Sequence, residues 1–345
     1  MRMALWARAV LTMAAVAFSG AVRAETAADF YAGKTVTIYV GYGPGGGYDA
    51  FAQLLSRFMG AHIPGKPTVV VKYMPGADSV VLMNWLYNIG PRDGTTFGIV
   101  ASGVPVAPLL GSDEQRALGK YDARKMNWLG SLENFNAIGI AWHDTGFKTL
   151  DDLKRREFRF ASAGAASGGE VYSKILNETL GTKIRGIRGY VSSQEDNLAM
   201  ERGEVDGIFG WCWTCMKADK PDYIAKKLVT PLVQFGLAPE PEMAGVPNAM
   251  DLATNEDDRQ VWRLILGALV MSRPFVTPPG VPAERVAALR AAFDASAADP
   301  ELLAAAAKGR RVVTLYKGAE IDALLASNYA LPADIVERAR RLSAP

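Results

Sequence analysis

The stretch TVTIYVGYGPGGGYD, residues 35–49, has the pattern of a strand, a glycine turn and the start of a helix. Val36, Ile38 and Val40 alternate with other strand-favouring residues, which is typical of a half-buried strand. Five glycines and a proline then interrupt the pattern. Apolar residues recur at helical spacing over residues 50–59, so we expect a helix directly after the turn.

The glycines of this turn predict a site for an anion. Gly45, Gly46 and Gly47 have no side chain to block an approaching ligand, and Tyr48 and Asp49 lie at the predicted helix start. Backbone N–H groups there have no intrahelical partner, and the positive end of the helix dipole faces outward. A carboxylate or a phosphate suits such a position. A tight reversal of the chain without any ligand explains the same glycines equally well.

Two nucleotide-binding interpretations are disfavoured. The turn lacks the lysine and the serine or threonine of a phosphate-binding P-loop. Gly41, Gly43 and Gly46 have the dinucleotide spacing, but residues 69–72, where the next strand is expected, end on a lysine and not on an acid.

Residues 1–24 predict a secretory signal peptide that is cleaved after Ala24. Arg2 and Arg8 precede a short apolar run over residues 9–18, which is too short to span a membrane. We therefore expect a soluble protein in the periplasm. Cleavage removes three arginines and no acid, which leaves 35 basic and 36 acidic residues and a net charge of −1. Such a mixed charge disfavours binding to nucleic acid or to a membrane through a polybasic patch.

The remaining length of about 320 residues exceeds what a single hydrophobic core usually supports, so we expect two domains. Residues 25–102 read as β-α-β-α-β, which predicts a parallel sheet with a ligand site at the carboxyl edge of its strands. The turns at Gly46, Gly76 and Ser102 then share one edge. Residues 126–142 are predicted to be a long bending strand that crosses between the domains.

The second half of the chain repeats the pattern of a strand, a turn of small residues and a helix. A strand over residues 158–161 is followed by small and hydroxylated residues 162–169 and then by a helix over 170–180. This arrangement predicts a second carboxylate cradle, although an N-cap serine beside a flexible turn explains it equally well. Residues 261–272 are predicted to be the return crossing, and an alanine-rich helical region from residue 283 is expected to pack on the first domain.

Four segments, taken in order, resemble the periplasmic solute-binding proteins of tripartite tricarboxylate transporters (Bug type): PGGGYD at 44–49, MPGA at 74–77, PRDGT at 91–95 and PPGVP at 278–282. The resemblance covers nearly the whole mature chain. It implies an α/β fold of two Rossmann-like domains, a periplasmic-binding-protein clamshell joined by crossing strands. The predicted first domain comprises residues 25–131 and 267–345, and the second comprises residues 132–266.

The resemblance also implies a function without catalysis, cofactor or metal. Such a receptor captures a small organic carboxylate in the cleft between its domains and delivers it to membrane permease subunits; we expect it to be monomeric. In that family the first glycine turn and the loop after the first strand of domain 2 hold the carboxylate. The ligand-binding residues predicted in this way are Gly45, Gly46, Gly47, Tyr48, Asp49, Gly76, Ser102, Ser162, Ala163, Gly164, Ser167, Gly168, Tyr190, Ser192, Asp206 and Trp211.

The chain departs from the family pattern in three places. Tyr48 stands where members commonly have threonine, and residues 161–164 replace a glycine-serine-alanine-glycine type loop. The segment WCWTC at 211–215 is not a general family feature. Its tryptophans, together with Tyr48 and Tyr190, are candidates to wall an aromatic or extended ligand, or else belong to the core. Asp206 is expected to repel a second carboxylate and to favour an amine or a hydroxyl on the ligand.

Cys212 and Cys215 are the only cysteines, and in an exported protein this spacing predicts a disulfide. The alternative is a periplasmic thiol-disulfide oxidoreductase that uses the pair as its redox site. A further alternative is a carboxylate-sensing receptor for a signalling partner. Other catalytic chemistry is poorly supported, because only His62 and His143 are present and no hydrolase or metal-ligand motif occurs.

Overall fold

A computed structural model describes residues 25–162, 164, 167–190 and 193–344. The predicted signal peptide, Ala163 and Ser192 lie outside the described residues. The strands are β1 Thr35–Val40, β2 Thr68–Tyr73, β3 Thr96–Ile99, β4 Asn127–Ser131, β5 Ala137–Trp142, β6 Phe158–Ser162, β7 Ile184–Arg188, β8 Gly207–Cys212, β9 Val229–Phe235, β10 Pro274–Thr277 and β11 Tyr316–Lys317. The α-helices are α1 Ala27–Tyr31, α2 Gly47–His62, α3 Val80–Asn88, α4 Ala107–Leu110, α5 Asp113–Leu118, α6 Leu150–Arg155, α7 Gly168–Leu180, α8 Ser193–Glu201, α9 Trp213–Asp219, α10 Pro221–Ala225, α11 Glu256–Val270, α12 Ala283–Ala297, α13 Pro300–Lys308, α14 Gly318–Tyr329 and α15 Ala333–Ser343.

The strands form two sheets. The first has the order β11-β4-β10-β3-β1-β2, and the second has the order β7-β6-β8-β5-β9. Strand β1 pairs in parallel with β2 and β3, and β6 pairs in parallel with β7 and β8. The turns after β1, β2 and β3 therefore share the carboxyl edge of the first sheet, as predicted, and the loops after β6, β7 and β8 share the same edge of the second.

The first sheet is covered on both faces. Val36, Ile38 and Val40 are fully buried and belong to one core with Phe51 and Leu55 of α2, whose apolar residues face the sheet. The intervening side chains of β1 point to the opposite face, where the Tyr39 ring lies 4.8 Å from the Trp85 ring of α3. Strand β1 is thus fully buried on the face that packs against α2 and partly buried on the face that packs against α3.

The crossing predicted over residues 126–142 consists of two strands. Strand β4 belongs to the first sheet and β5 to the second, with residues 132–136 between them. Strand β10, antiparallel to β3 and β4, leads the chain back into the first sheet.

The prediction that residues 261–272 form the return crossing strand was wrong, because most of that run lies in helix α11. Its N-cap Asn255 accepts a hydrogen bond from the Asp258 amide, and Val261, Leu264 and Ile265 are buried. A short buried apolar run fits a strand and a buried helix equally well, and the capped acidic start favoured the helix. Helix α12, by contrast, packs on α2 and β4 of the first sheet, as the alanine-rich sequence predicted.

Candidate functional site

The first glycine turn is open to its surroundings. A Cβ built on Gly43, Gly45 or Gly46 would meet no atom within 4 Å, and Gly45 has a φ of +90°, which favours glycine. Gly46 is the N-cap of α2 and provides no side chain to the helix end. The first-turn amides of α2 consequently face space that a ligand can enter.

Asp49 holds this turn in place. Its buried carboxylate accepts hydrogen bonds from the Gly45 amide at 2.7 Å and from the Tyr73 hydroxyl at 2.9 Å. Gln53 donates a third, longer bond at 3.3 Å. Both carboxylate oxygens of Asp49 are therefore hydrogen-bonded within the protein. In place of the predicted contact with the ligand, we now expect Asp49 to hold the shape of the turn.

Hydrogen bonds join the three turns of domain 1 into one rim. Tyr42 donates to Asp78, and the buried Ser79 hydroxyl accepts from the Ala101 amide at 3.1 Å. Tyr48 accepts from the Ser102 amide at 3.2 Å. Burial, reinforced by the bond to Asp78, raises the pKa of Tyr42, so this phenol stays protonated and remains a donor.

The second turn of this rim has an unusual backbone. Three successive residues that are not glycine, Ala77, Asp78 and Ser79, have φ angles of 44°, 51° and 71°. Each left-handed residue costs about 1 kcal/mol or more, and such strain concentrates where a backbone shape is needed for function. Gly76, with a φ of +142°, leads into the turn, and its missing Cβ would lie 2.8 Å from the Val81 side chain. Sequence analysis recognised Gly76 but missed the residues that follow it.

Arg273 is a site residue that sequence analysis missed. It lies just before β10, its guanidinium is centred 4.5 Å from the Tyr48 ring, and one of its nitrogens lies 3.0 Å from where a Gly47 Cβ would be. It also forms an ion pair with Glu133 at 3.2 Å. Burial raises the pKa of Glu133, and the Arg273 charge acts in the opposite direction. The positive charge of Arg273 thus lies next to Gly47 and Tyr48, at the end of the first glycine turn.

The corresponding cradle of domain 2 lies between β6 and α7. The Ser162 hydroxyl accepts from the Gly164 amide at 3.2 Å and lies 3.3 Å from the Ser167 hydroxyl. Ser167 is the N-cap of α7, with no hydrogen bond from its side chain to the helix end. Together with Gly168, Gly169 and Trp211, these serines line a small cavity of about 150 Å³.

The acid of this cavity is Asp196, another residue that sequence analysis missed. It follows Ser193 in the first turn of α8 and precedes the buried Ala199 and Met200 by three and four residues. That helical spacing is the signal by which Asp196 was detectable as an inward-facing residue. Burial, with a smaller contribution from the Glu195 charge, raises its pKa to about 6.

A larger cavity of about 540 Å³ lies between the two domains. Gly168 lines both this cavity and the small one, so the two adjoin at the start of α7. The larger cavity is mostly apolar. Its lining residues include Ala77, Asp78, Gly103, Val104 and Leu110 from the first domain, Val171 and Tyr172 from α7, and Ile265 and Ala268 from α11.

The remaining predicted site residues have other positions. Gly46 and Gly164 face open space, but neither is among the described residues that line these two cavities. Tyr190 donates a hydrogen bond to Glu204 at 3.1 Å and is likewise absent from both linings.

The assignment of Asp206 to the cleft is corrected. Strand β8 begins at Gly207, so Asp206 precedes it and lies at the amino edge of the sheet, opposite the cradle. There its carboxylate accepts three hydrogen bonds from Arg159, at 2.7 Å from the amide and 3.1 Å from two guanidinium nitrogens. Asp206 ties β8 to β6 and has no route to a ligand at the carboxyl edge.

Cys212 and Cys215 form a disulfide at the end of β8, as the spacing predicted. Trp213 is buried and donates to Glu242, whereas Trp211 lines the small cavity. Both tryptophans therefore belong to one hydrophobic core, and Trp211 also lines the cradle. Among the described residues there is no cluster of potential metal ligands, and no helix there is both long and apolar enough to cross a bilayer.

We expect the double variant Cys212→Ser/Cys215→Ser to lose only about 2 kcal/mol of unfolding free energy, because the disulfide closes a loop of four residues. Urea denaturation of the variant and of the wild type, with and without reductant, measures this difference. Insulin reduction at catalytic rates by the wild type would contradict the structural role and favour the oxidoreductase alternative.

No protein-family model matches this sequence, and a search of curated proteins finds no match. Solved structures do match. A TctC solute-binding protein from Polaromonas without ligand has 18% identity and a TM-score of 0.69, over 88% of this chain and 98% of that chain. The periplasmic binding protein BugD has 19% identity and a TM-score of 0.55, over 89% and 97%. An R. palustris protein with adipate has 15% identity and a TM-score of 0.56, over 90% and 97%.

At these identities the likeness establishes the fold. The chain has the two-domain α/β fold of periplasmic binding proteins, and its structural neighbours include TctC and Bug proteins. The predicted fold class and the predicted resemblance are confirmed.

Proposed function

We propose that this chain is a periplasmic, non-catalytic solute receptor that binds a small organic carboxylate between its domains and delivers it to the permease of a tripartite tricarboxylate-type transporter. The observation that carries the proposal is the crevice between the domains, which the strained turn at Ala77 and Asp78 lines from one side and the start of α7 at Gly168 from the other. Two helix starts with glycine at or next to the N-cap, those of α2 and α7, follow strand ends of the two sheets.

The shared fold supports this proposal. The matched TctC structure is by name a solute-binding protein, BugD is by name a periplasmic binding protein, and a third match contains adipate, a dicarboxylate. An exported chain with a predicted signal peptide reaches the compartment in which such receptors work. The proposed domains are residues 25–131 with 267–345, and residues 132–266.

Recognition is proposed to rest on the α2 amides at Gly46 and Gly47, with Arg273 behind them, and on the Ser162 and Ser167 hydroxyls. The apolar cavity beside Gly168 accommodates the carbon skeleton. Closure of the crevice removes water, which strengthens each of these hydrogen bonds.

A thermal-shift screen of organic acids tests the proposal. We expect at least one carboxylate at 100 times its dissociation constant to stabilise the protein by about 2.7 kcal/mol. Gly46→Val should abolish this shift and lower the melting temperature of the free protein only slightly, because a φ of −85° and open space accommodate the side chain although valine is a poorer N-cap than glycine. The added side chain covers the α2 amides that the anion needs.

Asp206→Asn is the matched control. It changes a carboxylate of domain 2 at the edge opposite the cradle, so ligand affinity should equal that of the wild type. A screen in which no carboxylate stabilises the wild type, or a Gly46→Val protein that binds as tightly as the wild type, would refute the proposed function.

A further inference from the structure

Asp196 has a buried carboxylate oxygen that the protein leaves unsatisfied. Its Oδ1 has no hydrogen-bond partner among the described residues and is shielded from solvent. A buried polar atom without a partner is costly, and the great majority of such atoms in native proteins are paired. Rotation of this carboxyl group about its terminal torsion brings the unsatisfied oxygen to the cavity that the side chain lines, where a donor from outside the chain can reach it.

The surroundings of Asp196 show where that donor would lie. The carboxyl group lines the small cavity together with the Ser162 and Ser167 hydroxyls and the Trp211 side chain. No lysine or arginine is among the described residues that line this cavity. Its volume of about 150 Å³ exceeds the roughly 30 Å³ that a water molecule occupies, so an ammonium or hydroxyl with its adjoining carbon fits.

A ligand carboxylate is a poor occupant of this cavity. Two carboxylates that share a small site with no basic side chain between them cannot both be ionised without a large electrostatic cost. An ammonium or a hydroxyl avoids this electrostatic cost, because it donates the hydrogen bond that Oδ1 lacks. The bond from an ammonium joins two opposite charges and is therefore stronger than the bond from a hydroxyl. The positive end of the site lies in domain 1, where Arg273 is next to Gly47.

We infer that the ligand is an amino- or hydroxy-carboxylate that enters with a fixed polarity: its carboxylate binds the first glycine turn, and its ammonium or hydroxyl binds Asp196 in domain 2. This inference rests on the proposed function and names the class of carboxylate. It reverses the expectation that the domain 2 cradle holds a carboxylate. The selectivity predicted for Asp206 is assigned to Asp196, ten residues earlier in the chain.

Matched acids test the inference. The probes are succinate, glutarate and adipate, each compared with the ω-amino and ω-hydroxy acids of the same chain length. Affinities are measured at pH 7.5 by calorimetry for the wild type, Asp196→Asn and the control Asp219→Asn. Asp219 is an exposed acid of domain 2 at the end of α9, so this control makes the same chemical change away from the cradle.

At the chain length that binds best, we expect the wild type to bind the amino or hydroxy acid at least about tenfold more tightly than the dicarboxylate. Asp196→Asn should weaken binding of the amino acid by at least about tenfold and should strengthen binding of the dicarboxylate, while Asp219→Asn changes neither affinity. Tighter binding of the dicarboxylate by the wild type, with no change in Asp196→Asn, would overturn the inference and leave the proposed function intact. Binding of none of these or other carboxylates would overturn both.

Discussion

Gly169→Ala is expected to destabilise the protein by about 2–3 kcal/mol and to weaken ligand binding by at least about tenfold. In a helix interior the same substitution normally stabilises, by about 1 kcal/mol. The sign reverses here because a Cβ on Gly169 would lie 2.4 Å from the Phe209 carbonyl oxygen and 2.8 Å from the Phe160 ring. Those atoms belong to β8 and β6, so the start of α7 must move away from the sheet.

The packing partner of Gly169 is equally constrained. Gly210 has a φ of +84°, and its own Cβ would lie 2.6 Å from the Gly169 nitrogen. The two backbones therefore touch directly, and this contact sets the position of Ser167 and Gly168 at the mouth of the cradle. Displacement of α7 changes both cavities at once, which is why we expect stability and affinity to fall together.

Thermal unfolding and calorimetry measure the two effects, with Gly267→Ala as the matched control. Gly267 is also buried in a helix, α11, but the nearest atom to its Cβ would be a Leu324 methyl carbon at 3.4 Å, an ordinary contact. The control should be neutral or slightly stabilised and should bind ligand normally. A Gly169→Ala protein as stable as this control would show that α7 does not depend on the glycine contact.

Much of the fold was predictable because each strand and its following glycine turn carry their signals locally. Strand β1 ends at Val40, where the predicted glycine turn begins, and helix α2 follows that turn as predicted. The shared rim of domain 1 followed from strand order alone, since parallel strands place their ends at one edge. Element type and the general location of the site are therefore readable from one sequence when turns and periodicity agree.

The side chains of the site were predicted less well, because their roles depend on tertiary contacts. Asp206 lies at the edge opposite the cradle because strand β8 starts directly after it, at Gly207. The Asp49 carboxylate accepts a hydrogen bond from the Gly45 amide within the turn, and residue spacing does not predict this contact. Arg273 meets Tyr48 only because β10 returns to the first sheet from a position more than two hundred residues along the chain.

Arg273→Met is expected to destabilise the protein by about 3 kcal/mol at pH 8, because it leaves Glu133 partly buried without its partner. The two side chains are only 22% and 19% exposed, so solvent screens their attraction weakly. Glu133 lies between β4 and β5, and Arg273 immediately precedes β10, so the pair joins the two crossings between the domains. Arg259→Met is the control. Its partner Glu256 lies 3.6 Å away on the exposed face of α11, and such pairs contribute little.

The loss should depend on pH in a direction that identifies Glu133. Burial already raises the pKa of Glu133 in the folded protein, and removal of Arg273 takes away the larger of the two charges that oppose this effect, the other being that of Arg311. A group whose pKa is raised on folding stabilises the protein below its unfolded pKa, and this contribution is lost as the pH rises through the folded pKa. We therefore expect the unfolding free energy of Arg273→Met to fall between pH 5 and pH 8 more steeply than that of the wild type.

The double variant Arg273→Met/Glu133→Gln separates stability from recognition. It removes the buried charge, so it should recover part of the lost stability and lose the added pH dependence, as thermal unfolding at pH 5 and pH 8 will show. Carboxylate affinity should stay low in both variants, because each lacks the positive charge behind Gly47 and Tyr48. Recovery of affinity together with stability would mean that Arg273 acts only by holding the crossings together, and that the anion site depends on the α2 amides alone.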